Sequence, residues 1–203
     1  MTRTTHTLLL TLLLLLAAGD AAAQSWKEML KQAATTLIDK ATDGELTRRG
    51  LIGNWDYTAP GVKFESENWA AEAGGAALET SVAGKLERAY LLAGIEPGAC
   101  GFSFDDKGAF TANFGSRTLS GTYEFDAATH AVALRFTKGK YDLCTVPGHA
   151  YISGSELQVV FPVTRVVDMI TAVGEHITAL STVSQLLESY DNVYVGFRFD
   201  RRE

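Results

Sequence analysis

Long apolar runs are nearly missing from this chain. There is one, Leu8 to Ala18, broken by Thr11. Arg3 precedes it, and Ala21-Ala22-Ala23 stands before Gln24. That is the charged, apolar and small-residue order of a secretory signal peptide. The run is shorter than the roughly 20 residues that span a bilayer, and no cysteine near the junction offers a lipid anchor. The expectation is a leader over 1–23, cleaved near Ala23. The protein is then periplasmic or secreted, with no integral membrane segment after cleavage. Cleavage leaves 180 residues, 203 minus 23. Arg3 and Asp20 cancel, so the net charge stays at −6. A chain of that size makes one ordinary domain.

Positive charge is scarce as well. Lys and Arg total 18 against 24 Asp and Glu. The largest basic group is the pair Arg201-Arg202, too small for a nucleic-acid footprint, so nucleic acid is excluded as a partner. Histidine is rarer still. Beyond the leader only His130, His149 and His176 occur, in three different predicted elements. Metal centres need several His, Cys or carboxylate ligands at matched spacing, so no metal site is expected. Asp105-Asp106-Lys107-Gly108 lacks the alternating ligands and closing Glu of a calcium loop and reads as a hairpin turn. There is no Gly-x-Ser-x-Gly elbow and no glycine-rich phosphate loop. No cofactor and no catalytic residue is predicted, and the chain does not read as an enzyme. Asp56, Glu65, Glu124 and Asp142 are nominal carboxylates, but outward charge on alternating strands is their ordinary role.

Cysteine is limited to Cys100 and Cys144. Two readings stand. In an exported protein a lone pair points to one disulfide, stabilising by roughly 4 kcal/mol in the chain-entropy picture. The other reading is two free, buried thiols. Compartment favours the bond.

What the chain has in quantity is alternation. From Phe102 to Phe161, short runs of alternating aromatic and polar residues are separated by Gly- or Asp-containing turns. Phe102 and Phe104, then Phe110, Ala112 and Phe114, then Leu119, Tyr123 and Phe125 around Gly121, then Val132, Leu134 and Phe136 mark successive strands. Tyr141–Val146, Ala150–Ile152 and Leu157–Phe161 are three more. Even spacing of such runs predicts an antiparallel meander closed as a barrel or stacked as a sandwich. Leu51–Tyr57 reads as the first strand, Pro60-Gly61 as a turn, and Val62–Phe64 as a second short strand. Val193–Phe199 reads as the last strand. There Val193, Val195, Phe197 and Phe199 face one way, and Tyr194, Gly196 and Arg198 the other.

Three helices are expected. Ser25–Asp43 carries Trp26, Met29, Leu30, Ala33, Leu37, Ile38 and Ala41 at helical steps, with Ser25 and Glu28 as a capping box and Gly44 as its stop. Ser66–Ala93, with a kink at Gly74-Gly75, carries Leu78, Val82, Leu86, Ala89 and Tyr90. Gly94, Ile95 and Pro97 terminate it. Val163–Leu187 is the third, with an apolar stripe from Val166 to Leu187. No linker or low-complexity tract divides the chain.

Three segments together carry a resemblance: Leu51-Ile52-Gly53-Asn54-Trp55-Asp56-Tyr57 with Pro60, Val62 and Phe64; Gly121-Thr122-Tyr123-Glu124-Phe125; and Tyr190-Asp191-Asn192-Val193-Tyr194-Val195-Gly196-Phe197. With Gly74-Gly75, they resemble an uncharacterised lipocalin-like family of exported proteins from Gram-negative anaerobes, over nearly all of the mature chain. The resemblance implies a mainly β fold with helices: a lipocalin-like antiparallel meander barrel with an N-terminal helix, a helical insertion after the first strands, and a long helix before the last. The division is leader 1–23, N-terminal helix 24–50 and barrel domain 51–203. The wider lipocalin pattern implies that Trp55 packs against an arginine of the last strand at the closed end. Arg198 is the first choice and Arg201 the second, a guanidinium on an indole contributing roughly 0.5–2 kcal/mol. The plain alternative leaves Trp55 as a core residue and Arg198 solvated.

An eight-stranded barrel is just wide enough to be filled by side chains or to hold one small ligand. Fold analogy points to a small apolar or amphipathic ligand in the barrel, with Phe104, Phe110, Tyr123, Phe125 and Phe136 lining the pocket. A side-chain-filled core serving a structural or partner-binding role is the alternative. No particular protein partner is implied.

Overall fold

The computed structural model describes residue 39 and residues 44–64, 75–115, 117–138, 145–173 and 193–202. The leader, most of the predicted N-terminal helix, the Gly74 half of the proposed kink, Glu65, Tyr141–Cys144, His176 and the chain from 174 to 192 lie outside the described residues. Among the described residues, no helix is long and apolar enough to cross a membrane.

A short helix α1 (Glu45–Leu51) leads into β1 (Gly53–Phe64). Helix α2 (Gly75–Leu92) follows. Six strands come next: β2 (Cys100–Phe104), β3 (Ala109–Phe114), β4 (Arg117–Asp126), β5 (Ala131–Lys138), β6 (Val146–Ser153) and β7 (Glu156–Pro162). Helix α3 (Val163–Val173) precedes β8 (Val193–Arg201). Each strand pairs antiparallel with the next, and β8 returns to β1, closing the barrel. A closed sheet has no free edge to template aggregation.

The turns form as their residues dictate. Asp105 Oδ1 accepts the Lys107 and Ala109 N–H groups, and Gly108 takes the left-handed conformation at φ 80°. Asp126 accepts the Ala128 N–H and the Thr129 hydroxyl. Helix α2 ends as expected: Gly94 sits at φ 72°, the Ile95 N–H donates back to the Tyr90 carbonyl at 2.8 Å, and Ile95 is buried. That is a Schellman-type stop with its hydrophobic contact.

Three expectations need correction. Pro60-Gly61 is not a turn; β1 runs through it as one strand of 12 residues with a register shift between Tyr57 and Ala59. The reason is that β2 pairs with β1 only from Gly53 to Asp56. Beyond that point no other described strand pairs with that side of β1, where a residue without an N–H is tolerated. Leu51 belongs to a helix and not to the first strand; seven residues are too few for apolar periodicity to reveal. Val146 and Ala150–Ile152, expected in two separate strands, belong to one: β6 runs unbroken from Val146 to Ser153 through Pro147-Gly148.

The register puts one set of side chains on the inner face. Tyr57 lies opposite Phe199, Phe102 opposite Trp55 and Ala112, Phe110 opposite Phe104 and Gly121, Val159 opposite Ala150 and Phe197. Those positions are apolar almost without exception, and they form the buried core.

Candidate functional site

The lumen is packed with rings on one side and aliphatic chains on the other. Phe102 lies 5.7 Å from Phe104, 6.3 Å from Phe110 and 5.3 Å from Phe199, centroid to centroid. Phe110 meets Phe136 edge-on at 5.1 Å, across the strand that carries Gly121. A Cβ on Gly121 would run into the Arg135 carbonyl and stand 2.9 Å from the Phe110 ring, so only glycine fits between them. From α2, Tyr90 reaches in to stack on Phe197 at 5.1 Å and donates its hydroxyl to the Gly196 carbonyl. Beside the rings, Leu134, Ala150, Leu157, Val159 and Val195 have 0% of their surface accessible to water. No water-sized void touches any of them. Burial, with the charges of Glu87 and Cys100, pushes the Tyr57 phenol well above its usual range. Burial does the same to Tyr90.

The end of the barrel at Gly53 and Arg201 is capped in part by α1. The Trp55 indole donates to the Leu51 carbonyl at 2.8 Å, and the Arg201 guanidinium lies 4.6 Å from the indole centroid. Arg201 also donates to the Gly50 and Ile52 carbonyls at 2.6 and 3.3 Å. It therefore satisfies carbonyls at the end of α1 that have no intrahelical partner. Gly53, at φ 144°, leaves the room this needs; a Cβ there would meet Arg201 Nη1 at 2.8 Å. On the outer face Arg202 grips Asp56 with Nε at 2.9 and 3.0 Å and with a further Nη2 contact. That grip, partly opposed by burial, holds the Asp56 carboxyl below its ordinary range.

Helix α1 does not cover the whole end. Between Ile52 and the β2–β3 hairpin lies an open cleft of about 430 Å³. It is lined by the outward residues Asn54, Ser103 and Thr111, by the turn residues Asp105 and Asp106, and by Phe104 and Phe110, whose side chains are buried on the inner face. The Ser103 hydroxyl donates to Asn54 Oδ1 at 2.7 Å. The Tyr123 hydroxyl donates to the Asp105 carbonyl at 2.6 Å.

A second cluster ties α1 to the β4–β5 turn and β6. Asp39 and Thr47 are the buried polar residues of the described chain. Asp39 Oδ1 accepts the Thr47 N–H at 2.9 Å, and Oδ2 accepts the Thr47 hydroxyl at 2.6 Å and meets His130 Nε2 at 2.8 Å. Thr47 in turn accepts the Ile152 N–H. Burial raises the Asp39 pKa, but the hydrogen bonds from Thr47 and His130 outweigh it and the net shift is downward. His130 is held at φ 56°, the only non-glycine with positive φ among the described residues, with its ring stacked on Tyr151 at 5.1 Å. Carboxylate and imidazole have the spacing of a base and its orienting group. The Thr47 hydroxyl, however, points to the carboxylate and not to the imidazole. Nearby, Lys63 lays its ammonium over the Tyr151 ring at 4.0 Å, and burial lowers its pKa.

Against the family models, residues 26–201 match one described as "Lipocalin-like domain (DUF4923)". The chain belongs to that family. Among solved structures, the chain is similar to a DUF4847 family protein from Bacteroides vulgatus ATCC 8482. Identity is 15%, the alignment covers 74% of this chain and 94% of the other, and the TM-score is 0.35. Among curated proteins nothing matches.

In this DUF4923 chain the barrel-closing arginine is Arg201 and not Arg198. Arg198 points outward, exposed, with its carbonyl accepting the Thr58 hydroxyl. The expected disulfide is also not seen. Cys100 is a free, buried thiol on the inner face, its Sγ 3.6 Å from the Gly94 carbonyl, and Cys144 lies outside the described residues. Of the five expected pocket residues, Phe104 and Phe110 border the cleft with their side chains buried in the lumen. Phe136 is buried against Phe110 in the lumen, while Tyr123 and Phe125 are half-buried against the core. Asp56 is paired, Glu124 projects outward from β4, and Glu65 and Asp142 lie outside the described residues. Among the described residues no group of three or more His, Cys, Asp or Glu is placed to hold a metal ion. Sequence reasoning missed Asp39 and Thr47; the sole hint was Gly44, whose N–H bonds to the Asp39 carbonyl and which opens α1.

Proposed function

We propose that this lipocalin-like protein is an exported, non-enzymatic binding protein that meets its target at the rim and outer surface of a filled barrel. One observation carries this reading: the central side chains of the lumen are buried, Leu134, Ala150, Leu157 and Val159 at 0% exposure and Phe102, Phe104, Phe110, Phe197 and Phe199 at 1–3%. A ligand inside would need about 300 Å³ or more, and making that room would expel several rings. The aromatic network favours a rigid scaffold over a container. Native mass spectrometry of protein purified from its own host tests this. The expected spectrum is the bare chain beginning at Gln24. A co-purifying apolar molecule that survives desolvation and is lost only on unfolding would overturn the filled-lumen reading. A mature N-terminus other than Gln24 would overturn the leader assignment.

A second reading, a small amphipathic ligand, is favoured by a separate observation. The cleft beside Ile52, at about 430 Å³, falls in the size range of small-molecule sites, and it lies outside the lumen.

A further inference from the structure

We propose that the outer wall of the barrel at Lys63 and Tyr151 binds an oxyanion, the carboxylate or phosphate group of the target. The inference rests on the reading above that this protein meets its target on its outer surface. It adds the place and the sign of the charge.

The register brings the site together. On the outer face, Tyr151 of β6 lies level with Gln158 of β7 and Arg198 of β8, and His149 lies level with Val160 and Gly196. Lys63 of β1 stands opposite Tyr194, and Gly61 opposite Gly196. The two glycines project nothing outward, and a Cβ on Gly196 would run into the Val159 carbonyl. Across that bare floor Lys63 reaches from β1 over β8 and β7 to β6, where its ammonium lies 4.0 Å from the Tyr151 centroid. The same ring stacks with His130 at 5.1 Å and with His149 at 6.2 Å. His149 in turn meets Tyr194 edge-on at 4.9 Å.

What marks this place is a charge without a counter-charge. Lys63 is half-buried, and among the described residues it pairs with no carboxylate and its N–H groups donate to no oxygen. Burial lowers its pKa, with no carboxylate's field set against it. Taking a charge out of water without a partner is costly, and a chain with 24 acidic residues against 18 basic ones has carboxylates to spare. The other charges of this wall are answered. Asp39 is spent on Thr47 and His130, and Arg198 acts on Glu156. A cationic ligand would meet the Lys63 ammonium head on, and a neutral one would leave it unpaired. An oxyanion accepts from its three donors, in a charge-assisted bond, while the Tyr151 face holds the cation from the other side.

Two-dimensional NMR of the uniformly labelled mature protein, in a buffer free of phosphate and carboxylate, tests the proposal. The chain is titrated separately with inorganic phosphate, benzoate and benzyl alcohol. The anions are expected to shift the amides of Lys63, Tyr151 and Tyr194 with saturation, and benzyl alcohol to leave them in place. A response to benzoate alone would assign a carboxylate target, and a response to phosphate alone a phosphorylated one. Added sodium chloride should weaken binding by screening. Lys63→Gln should weaken it roughly two- to five-fold, the effect of one partly exposed ionic contact, and Lys63→Arg, which keeps the charge, should retain it. Equal binding of benzyl alcohol, indifference to salt, or unchanged binding to Lys63→Gln would overturn the charge assignment. Silence of those amides with both anions at millimolar concentration would overturn the site. None of these results bears on whether the lumen is filled, which the mass spectrum reads separately.

Discussion

The lumen and the Asp39 cluster are both buried, yet they are opposites. The lumen is dry, apolar and redundant, with Phe102 alone touching five other rings. The Asp39 cluster is polar and has no spare parts: one carboxylate, one threonine and one imidazole join the segment before α1, α1 itself, the β4–β5 turn and β6. Each region responds to different perturbations. Apolar packing holds at any pH and fails through lost volume. The polar cluster tolerates volume and fails through lost charge or lost hydrogen bonds.

The largest expected effect is in the lumen. Phe197 is 1% exposed and contacts Tyr57, Tyr90, Phe102, Phe114 and Phe199. Phe197→Ala should cost roughly 3–5 kcal/mol, read as a lower urea midpoint, and the loss should be the same at pH 4 and pH 7. A loss that depends on pH would break the contrast between the regions.

Asp39→Ala comes second. It strands the buried Thr47 N–H and hydroxyl, a cost of roughly 1.5–3 kcal/mol at neutral pH, the range for hydrogen bonds to a charged group. The sign of its pH dependence follows from the lowered pKa. The carboxylate stabilises the fold above its unfolded value of about 3.8, and that stability is lost as pH falls through the still lower folded value. The wild type should therefore lose stability toward pH 2 by more than the variant does. Denaturation midpoints of the two chains at pH 7 and below pH 4 should converge; parallel curves would remove the ionic role of Asp39.

Overfilling is third. Ala150 is fully buried on the inner face of β6, opposite Val159. Ala150→Leu should destabilise by roughly 1–3 kcal/mol in a full lumen. A stabilised variant would mean that an unfilled space lies beside Ala150, and would revive the ligand-in-barrel reading.

The same contrast explains what was legible in the sequence. The lumen is written in parity: residues two apart share a face, so Phe197 and Phe199, or Phe102 and Phe104, announce themselves. Parity even held the answer to the closing arginine. Arg201 is two residues beyond Phe199 and shares its face, whereas Arg198 shares the face of Tyr194 and Gly196. The familiar Trp–Arg pairing drew attention to the nearer arginine, and alternation corrects it. The Asp39 cluster has no such signature. Its three side chains are spread from residue 39 to residue 130, and their meeting depends on where a seven-residue helix sits on a closed barrel. The cleft is similar: it exists because α1 leaves part of one barrel end uncovered, a matter of docking that no local pattern records.

The smallest effect expected is at the junction of the two kinds of contact. Trp55 is 1% exposed and lies on the inner face, but its partner Arg201 is a charged side chain whose donors reach the carbonyls at the end of α1. Trp55→Phe with Arg201→Lys forms the informative cycle, because both changes keep most of the volume. Lysine keeps the charge but loses the planar fork that stacks and binds two carbonyls at once. The coupling energy is expected at roughly 0.5–2 kcal/mol, the range of a cation over an aromatic face, measured from four denaturation midpoints. Zero coupling would assign Arg201 to the helix end alone, a polar clamp with no share in the aromatic core. A value in the expected range makes Arg201 a residue through which the apolar lumen and the polar helix end are joined.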